Sequence, residues 1–83
     1  MDLFKESKKV RLVKAYRELF SSDEGLEVLH DLCKSCSVYT STFDGNPHEM
    51  AYKEGARSVI LRIMRTLEID PFELDRMIKK QQE

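Results

Sequence analysis

Apolar side chains recur along the chain at the spacing of amphipathic helices. The pattern predicts one all-α domain over residues 1–83: a bundle of three main helices, a short C-terminal helix at 70–80, and one ordered loop at about 37–47. The first helix is expected over residues 3–20. The apolar residues expected to turn inward from it are Leu12, Val13, Tyr16, Leu19 and Phe20.

The second helix is expected from about Asp23 to Ser35. Ser21 stands three residues before Glu24, which is the arrangement of a capping box, where each side chain satisfies a free backbone N–H. The inner stripe of this helix is expected to consist of Leu26, Leu29, Leu32, Cys33 and Cys36, with Val28 on its flank.

The helical period is lost between residues 37 and 47. Residues 38–43 favour extended backbone, and residues 44–47 are typical of a turn. No second strand is available to pair with this segment, so we expect an ordered loop held in place by Phe43 and Tyr39.

Asn46 as a cap and Pro47 in the first turn begin the third helix. Its inner stripe is expected to be Ala56, Val59, Ile60, Ile63, Met64 and Leu67. Gly55 in the helix interior costs about 1 kcal/mol relative to alanine, so we expect another segment to approach its backbone closely. Asp70 and Pro71 begin the fourth helix. The inner face predicted for that helix is Phe72, Met77 and Ile78.

Length and composition predict a single small domain with a thin margin of stability. Of 83 residues, 41% are hydrophobic and 35% are charged, which is too apolar for disorder and too charged for a membrane span. The first residues lack the apolar segment of a signal peptide, so we expect a cytosolic protein with reduced thiols and no membrane association.

Charge is unevenly distributed, with net charges of +3 over residues 1–20, −5 over 21–50 and +1 over 51–83. A basic segment beside an acidic one favours docking to a protein over general nucleic-acid binding, because acidic side chains repel phosphate. Nucleic-acid binding remains the weaker alternative. The candidate partner-binding residues are Lys5, Lys8, Lys9, Arg11, Tyr39, Phe43, Arg62 and Arg65.

The side chains that could carry chemistry are few. His30, Cys33 and Cys36 could share a helical face, and His48 across the loop could complete a tetrahedral zinc site. We favour cysteines packed as small apolar side chains, because the Cys-x-x-Cys pair stands at a helix end and outside any βαβ unit. No grouping of nucleophile, base and orienting residue is evident, so the sequence predicts a non-enzymatic protein without a cofactor.

The order of several short segments resembles a family of small tailed-phage proteins of podovirus type, encoded near portal, scaffold and capsid genes. The segments are Phe20 to Gly25, Val28-Leu29 with Asp31-Leu32, Cys36, Thr42-Phe43, and Glu54 to Arg57 ahead of an Ile/Val-rich helix. The resemblance covers about residues 16–68. The chain departs from the family at Leu26, where a basic residue is usual, and at Ala56, where Arg-Arg is commoner than Ala-Arg.

The resemblance implies a phage protein that works by protein–protein contact in virion assembly or as a minor virion component. The expected partner is a phage structural protein, namely portal, scaffold or capsid, or else a host protein. Self-association into a homo-oligomer is a further prediction. The expected location is the host cytoplasm during infection, or the virion. The alternatives are an early phage protein that binds a host factor or nucleic acid, and a small zinc-binding module.

Overall fold

The computed structural model describes residues 7–43 and 45–82. Over these residues the chain forms four helices and no strands, which confirms the predicted all-α bundle. The helices are α1 (Lys8–Phe20), α2 (Asp23–Ser35), α3 (Pro47–Leu67) and α4 (Pro71–Gln81). No helix in the described part is long and apolar enough to cross a bilayer. Residues 3–6 of the predicted first helix, with Lys5 among them, and Asp44 of the predicted turn lie outside the described residues.

Polar side chains begin the helices by accepting hydrogen bonds from free backbone N–H groups. Asn46 accepts from the first turn of α3 and Asp70 from that of α4, as predicted. The predicted start of the first helix is wrong at Ser7, which is extended and caps α1, so that α1 begins at Lys8. The predicted capping box is also wrong: Ser22 accepts from the Gly25 N–H, while the Ser21 hydroxyl donates back to the Arg17 carbonyl.

The hydrophobic core lies between α2, α3 and α4. Its buried members are Leu29 and Cys33 of α2, Val38 of the loop, Ile60, Met64 and Leu67 of α3, and Leu74 and Ile78 of α4. Helix α1 packs against α2 and α3, yet it adds only half-buried side chains to this core, chiefly Tyr16 and Phe20. The core is therefore closed on the side of α4 and thin on the side of α1.

Several apolar residues expected to face inward are exposed instead: Leu12, Leu19, Val59, Phe72 and Met77. Leu12, Leu19, Val59 and Met77 stand at the edges of their helices' apolar stripes, and in a bundle this small a helix lacks neighbours on enough sides to cover the edges. Phe72 lies away from the Leu74 and Ile78 stripe, with its ring beside Tyr39. In α4 the inward residues are Leu74 and Ile78, so the predicted inner face is correct only at Ile78.

Close backbone packing occurs at Gly25 and not at Gly55. A methyl group on Gly25 would lie 2.6 Å from the Leu19 carbonyl oxygen and 2.8 Å from the Phe20 Cα, because α2 crosses the end of α1 there. At Gly55 a methyl group would meet nothing within 4 Å, so the expected close approach at that residue is wrong. Glycine is therefore required at the α1–α2 crossing.

We expect opposite effects from the same substitution at these two helical glycines. Gly25→Ala should lower the free energy of unfolding by about 1–3 kcal/mol, because the methyl group overlaps backbone atoms that cannot move independently. Gly55→Ala should raise it by about 0.5–1 kcal/mol through helix propensity. Urea denaturation of both variants measures the difference, and equal effects would contradict the crossing geometry.

Candidate functional site

A buried histidine joins α2 to α4. His30 is only 7% exposed, and its Nε2 donates to Asp75 Oδ1 at 2.8 Å. Lys79, one turn further along α4, lies 2.9 Å from the other oxygen of the same carboxylate. These hydrogen bonds, that of Lys79 first and then that of His30, hold the pKa of Asp75 below its usual range.

The loop after α2 is held against the same place. The Tyr39 hydroxyl donates to the Pro71 carbonyl at 2.7 Å, and its ring lies between those of His30 and Phe72, with both centroid distances 5.9 Å. Burial raises the pKa of the Tyr39 hydroxyl above its usual range, with Cys33 as the next contributor. The prediction that Tyr39 holds the loop is confirmed.

These side chains border a surface cleft of about 410 Å³ between α2 and α4. The cleft is lined by His30, Lys34, Tyr39, Phe72, Asp75, Lys79 and Gln82. Its size suits a small ligand. However, His30, Tyr39 and Lys79 already direct polar atoms to Asp75 or Pro71, so the arrangement stabilises the α2–α4 contact and offers few polar groups to a ligand.

Cys33 lies in the core with no exposed surface, and Cys36 is half-buried; both are free thiols. Burial raises the pKa of the Cys33 thiol; the hydrogen bond with Tyr39 opposes this rise, and the nearby Cys36 adds a smaller increase. A buried thiol with a raised pKa is a poor nucleophile. Cys33 therefore packs as a small apolar side chain, as the sequence favoured.

The four residues of the zinc alternative are not brought together. Across residues 7–43 and 45–82, no three His, Cys, Asp or Glu side chains are grouped in a way that could hold a metal ion. His30 is hydrogen-bonded to Asp75, and His48 is exposed in the first turn of α3. The geometry does not provide the proposed tetrahedral site.

The candidate partner-binding residues that the structure describes lie on α1, on α3 and in the loop after α2. Lys8, Lys9 and Arg11 are exposed on α1, and Arg62 and Arg65 are exposed on α3. Tyr39 instead serves the internal contact described above.

Phe43 is the most exposed aromatic residue among those described, at 79% of its surface, so the prediction that it holds the loop in place is wrong. Its loop is nonetheless ordered by hydrogen bonds. The Thr42 hydroxyl donates to the Glu54 carboxylate on α3, and the Phe43 N–H donates to the Ser41 hydroxyl at 3.1 Å. The ring is thus presented to solvent from an anchored backbone.

The contact of Asp75 with His30 and the burial of Val38 were not predicted from the sequence. A signal for Asp75 existed: His30 stands between Leu29 and Cys33, two inward residues, so it required a hydrogen-bond partner. The sequence offered no means of choosing that partner 45 residues away. Val38 is buried because the chain turns back there, with its N–H donating to the Cys33 carbonyl.

The described residues form a small helical domain in which His30, Asp75 and Lys79 make a polar cluster between α2 and α4. The sequence model of the Bbp19-like phage protein family matches residues 16–79, a span that includes His30, Tyr39 and Asp75. More than three quarters of the chain is matched, so the chain belongs to the Bbp19-like phage protein family. No curated protein and no solved structure matches the chain. The resemblance to a phage protein family is therefore confirmed.

Removal of the Tyr39 hydroxyl should weaken the domain. Tyr39→Phe leaves the Pro71 carbonyl without its donor and should lower the free energy of unfolding by about 1 kcal/mol. Tyr52→Phe is the matched control, because the Tyr52 side chain is 75% exposed and its variant should stay within about 0.5 kcal/mol of the wild type. Equal stabilities of the two variants in urea would show that the Tyr39 contact contributes nothing.

Acid should weaken the α2–α4 contact through Asp75. Because folding lowers the pKa of Asp75, its stabilisation is complete above the usual value of about 4 and disappears as the pH falls through the folded value. Asp75→Asn should therefore melt below the wild type at pH 5–7, and the two Tm values should converge below about pH 3.

The control for this titration is Asp31→Asn, which removes an exposed carboxylate from the same helix as His30. Its Tm should fall with acid as steeply as that of the wild type. A constant difference in Tm between Asp75→Asn and the wild type from pH 7 to acid would contradict the role given to Asp75.

Proposed function

We propose that this Bbp19-like phage protein acts by protein–protein contact, without catalysis, in the assembly of the phage particle or as a minor component of it. The main support for this proposal is the exposure of the Phe43 side chain on an ordered loop. A large apolar ring in water is unfavourable by roughly 1.5–3 kcal/mol relative to a buried one, so its exposure favours a partner that covers it.

The backbone around Phe43 is already held before any partner binds. Val38 is buried, the Tyr39 hydroxyl donates a hydrogen bond to the Pro71 carbonyl, and the Thr42 hydroxyl donates one to the Glu54 carboxylate. An aromatic side chain on an ordered backbone loses little conformational entropy on binding, which is why such residues are common among binding hot spots. Phe43 is therefore the residue we expect to contribute most to the contact.

The proposed partner is a phage structural protein, namely portal, scaffold or capsid, and the proposed location is the host cytoplasm during infection and then the particle. Family membership supports the phage setting. Two observations support the absence of catalysis. In the cleft, His30 is hydrogen-bonded to Asp75 and Tyr39 to the Pro71 carbonyl, and the Cys33 thiol is buried.

Nucleic-acid or host-factor binding is the competing proposal, and α1 favours it. Within Lys8–Phe20 there are five basic side chains and one acidic side chain, a composition that attracts phosphate. However, α1 packs beside α2, which begins with Asp23 and Glu24, and these carboxylates oppose binding to a polyanion. Salt-dependent binding to duplex DNA would favour this alternative.

The test replaces Phe43 in the phage genome and measures incorporation of the protein into purified particles by quantitative mass spectrometry. Phe43→Ala should lower incorporation about tenfold or more, because alanine truncation of a hot-spot residue costs about 2 kcal/mol of binding. It should leave the thermal stability of the purified protein unchanged, since the ring makes little contact within the domain.

Tyr52→Ala is the matched control, an exposed aromatic residue on α3 whose loss should leave incorporation near the wild-type level. Equal incorporation of Phe43→Ala and wild-type protein would overturn the role of Phe43. An equal loss in both variants would show that any exposed aromatic residue matters, and would remove the loop as the specific contact.

A further inference from the structure

Helix α1 buries its side chains less completely than the other three helices. None of its thirteen described residues is fully buried, whereas α2, α3 and α4 each bury two or three. An isolated helix of this length is marginal in water, and most helical stability in proteins comes from packing of the apolar face. Part of the apolar face of α1, including Leu12 and Leu19, is therefore left uncovered by the described residues.

An apolar groove of about 400 Å³ runs along the junction of α1 and α2. Leu19, 68% exposed, and Val28 of α2 lie on its walls, and Gly25 lies at its base where the two helices cross. Leu12 and Ala15 continue the same flank of α1, since they stand seven and four residues before Leu19. The apolar surface therefore extends along most of α1.

The two ends of this surface carry opposite charges. Lys8 and Arg11 border it beside Leu12 and Ala15, at the beginning of α1. Glu24 borders it beside Leu19, at the beginning of α2. A surface that is basic at one end, apolar in the middle and acidic at the other end is complementary to itself after a two-fold rotation.

We infer that this face binds a second copy of the same chain, in an antiparallel dimer with its two-fold axis near Ala15. Leu12 of one copy then packs against Leu19 of the other, and Lys8 meets Glu24. Ala15 at the axis allows the two α1 helices to approach closely. The same contacts occur twice, as an isologous interface requires.

The inference deepens the proposed function, because it names a second copy as one partner and leaves the Phe43 loop free for another. The two are tested separately: purified protein alone tests the dimer, and incorporation into particles tests the loop.

Self-association is measured by sedimentation equilibrium of the full chain from 1 µM to 1 mM. The wild type should reach twice the 9.7 kDa mass of one chain, and added salt should weaken the association. Leu19→Glu should remain monomeric across this range. Val59→Glu is its control, because Val59 is also exposed, at 58%, but stands on α3 outside the groove, and this variant should dimerise like the wild type.

A charge exchange identifies the pairing. Lys8→Glu and Glu24→Lys should each weaken dimerisation about tenfold or more, because each creates two contacts between like charges. A mixture of the two variants should form heterodimers, and the double variant should dimerise again. Circular dichroism verifies that each variant is folded.

Three results would overturn the inference. One is a wild-type chain that stays monomeric to 1 mM, and another is a dimer that persists in Leu19→Glu. The third is a pair of charge variants that neither weaken dimerisation alone nor restore it together. A dimer lost in Val59→Glu and kept in Leu19→Glu would place the interface on α3.

Discussion

A histidine withdrawn from water must keep a hydrogen-bond partner, and in this domain that requirement connects α2 to α4. The carboxylate of Asp75 meets His30 from 45 residues away, directly beside the apolar contacts of Leu74 and Ile78. If α4 moved away, His30 would lose its partner in the same step that exposed the core. The hydrogen bond between His30 and Asp75 therefore couples the docking of α4 to the burial of the core.

Tyr39 extends the same contact to the loop after α2. The Tyr39 ring lies tilted against His30 and its hydroxyl donates to the Pro71 carbonyl, so the start of the loop after α2 is anchored, while Phe43 remains exposed. Helix α1 packs against α2 and α3 but buries none of its side chains fully, so it stays on the outside of the core. The fully buried side chains of the described residues thus belong to α2, α3, α4 and the loop after α2, and the proposed second copy would cover α1.

Local signals in the sequence were sufficient to predict where the helices lie along the chain, but not how they pack against each other. Polar caps followed by proline are local signals, and Asn46 and Asp70 therefore placed α3 and α4 correctly. Two helix ends gave no such signal, because Ser37 and Glu68 adopt the left-handed backbone usually taken by glycine, with φ of 62° and 56°. The turn at Ser37 is what buries Val38, so the burial of Val38 was not predictable either.

The candidate surfaces depend on contacts between distant segments, which helical periodicity does not encode. Periodicity shows that Leu19 and Val59 border an apolar stripe, but only the positions of neighbouring helices decide whether such residues are covered. Likewise, Gly25 and Gly55 are indistinguishable as glycines within helices until the α1–α2 crossing is known. The exposure of Phe43 follows from how the loop is anchored, which was visible in the sequence only at Tyr39.

The core is closed between α2, α3 and α4 and open beside α1. Amide hydrogen exchange of the native protein in dilute solution measures this difference. Amides near Leu29, Met64 and Leu74 should exchange only through global unfolding, whereas those of α1 should exchange through local opening at a lower free energy. Concentrating the protein should then slow the exchange of α1. Exchange from α1 as slow as that from α2 in dilute solution would contradict the claim.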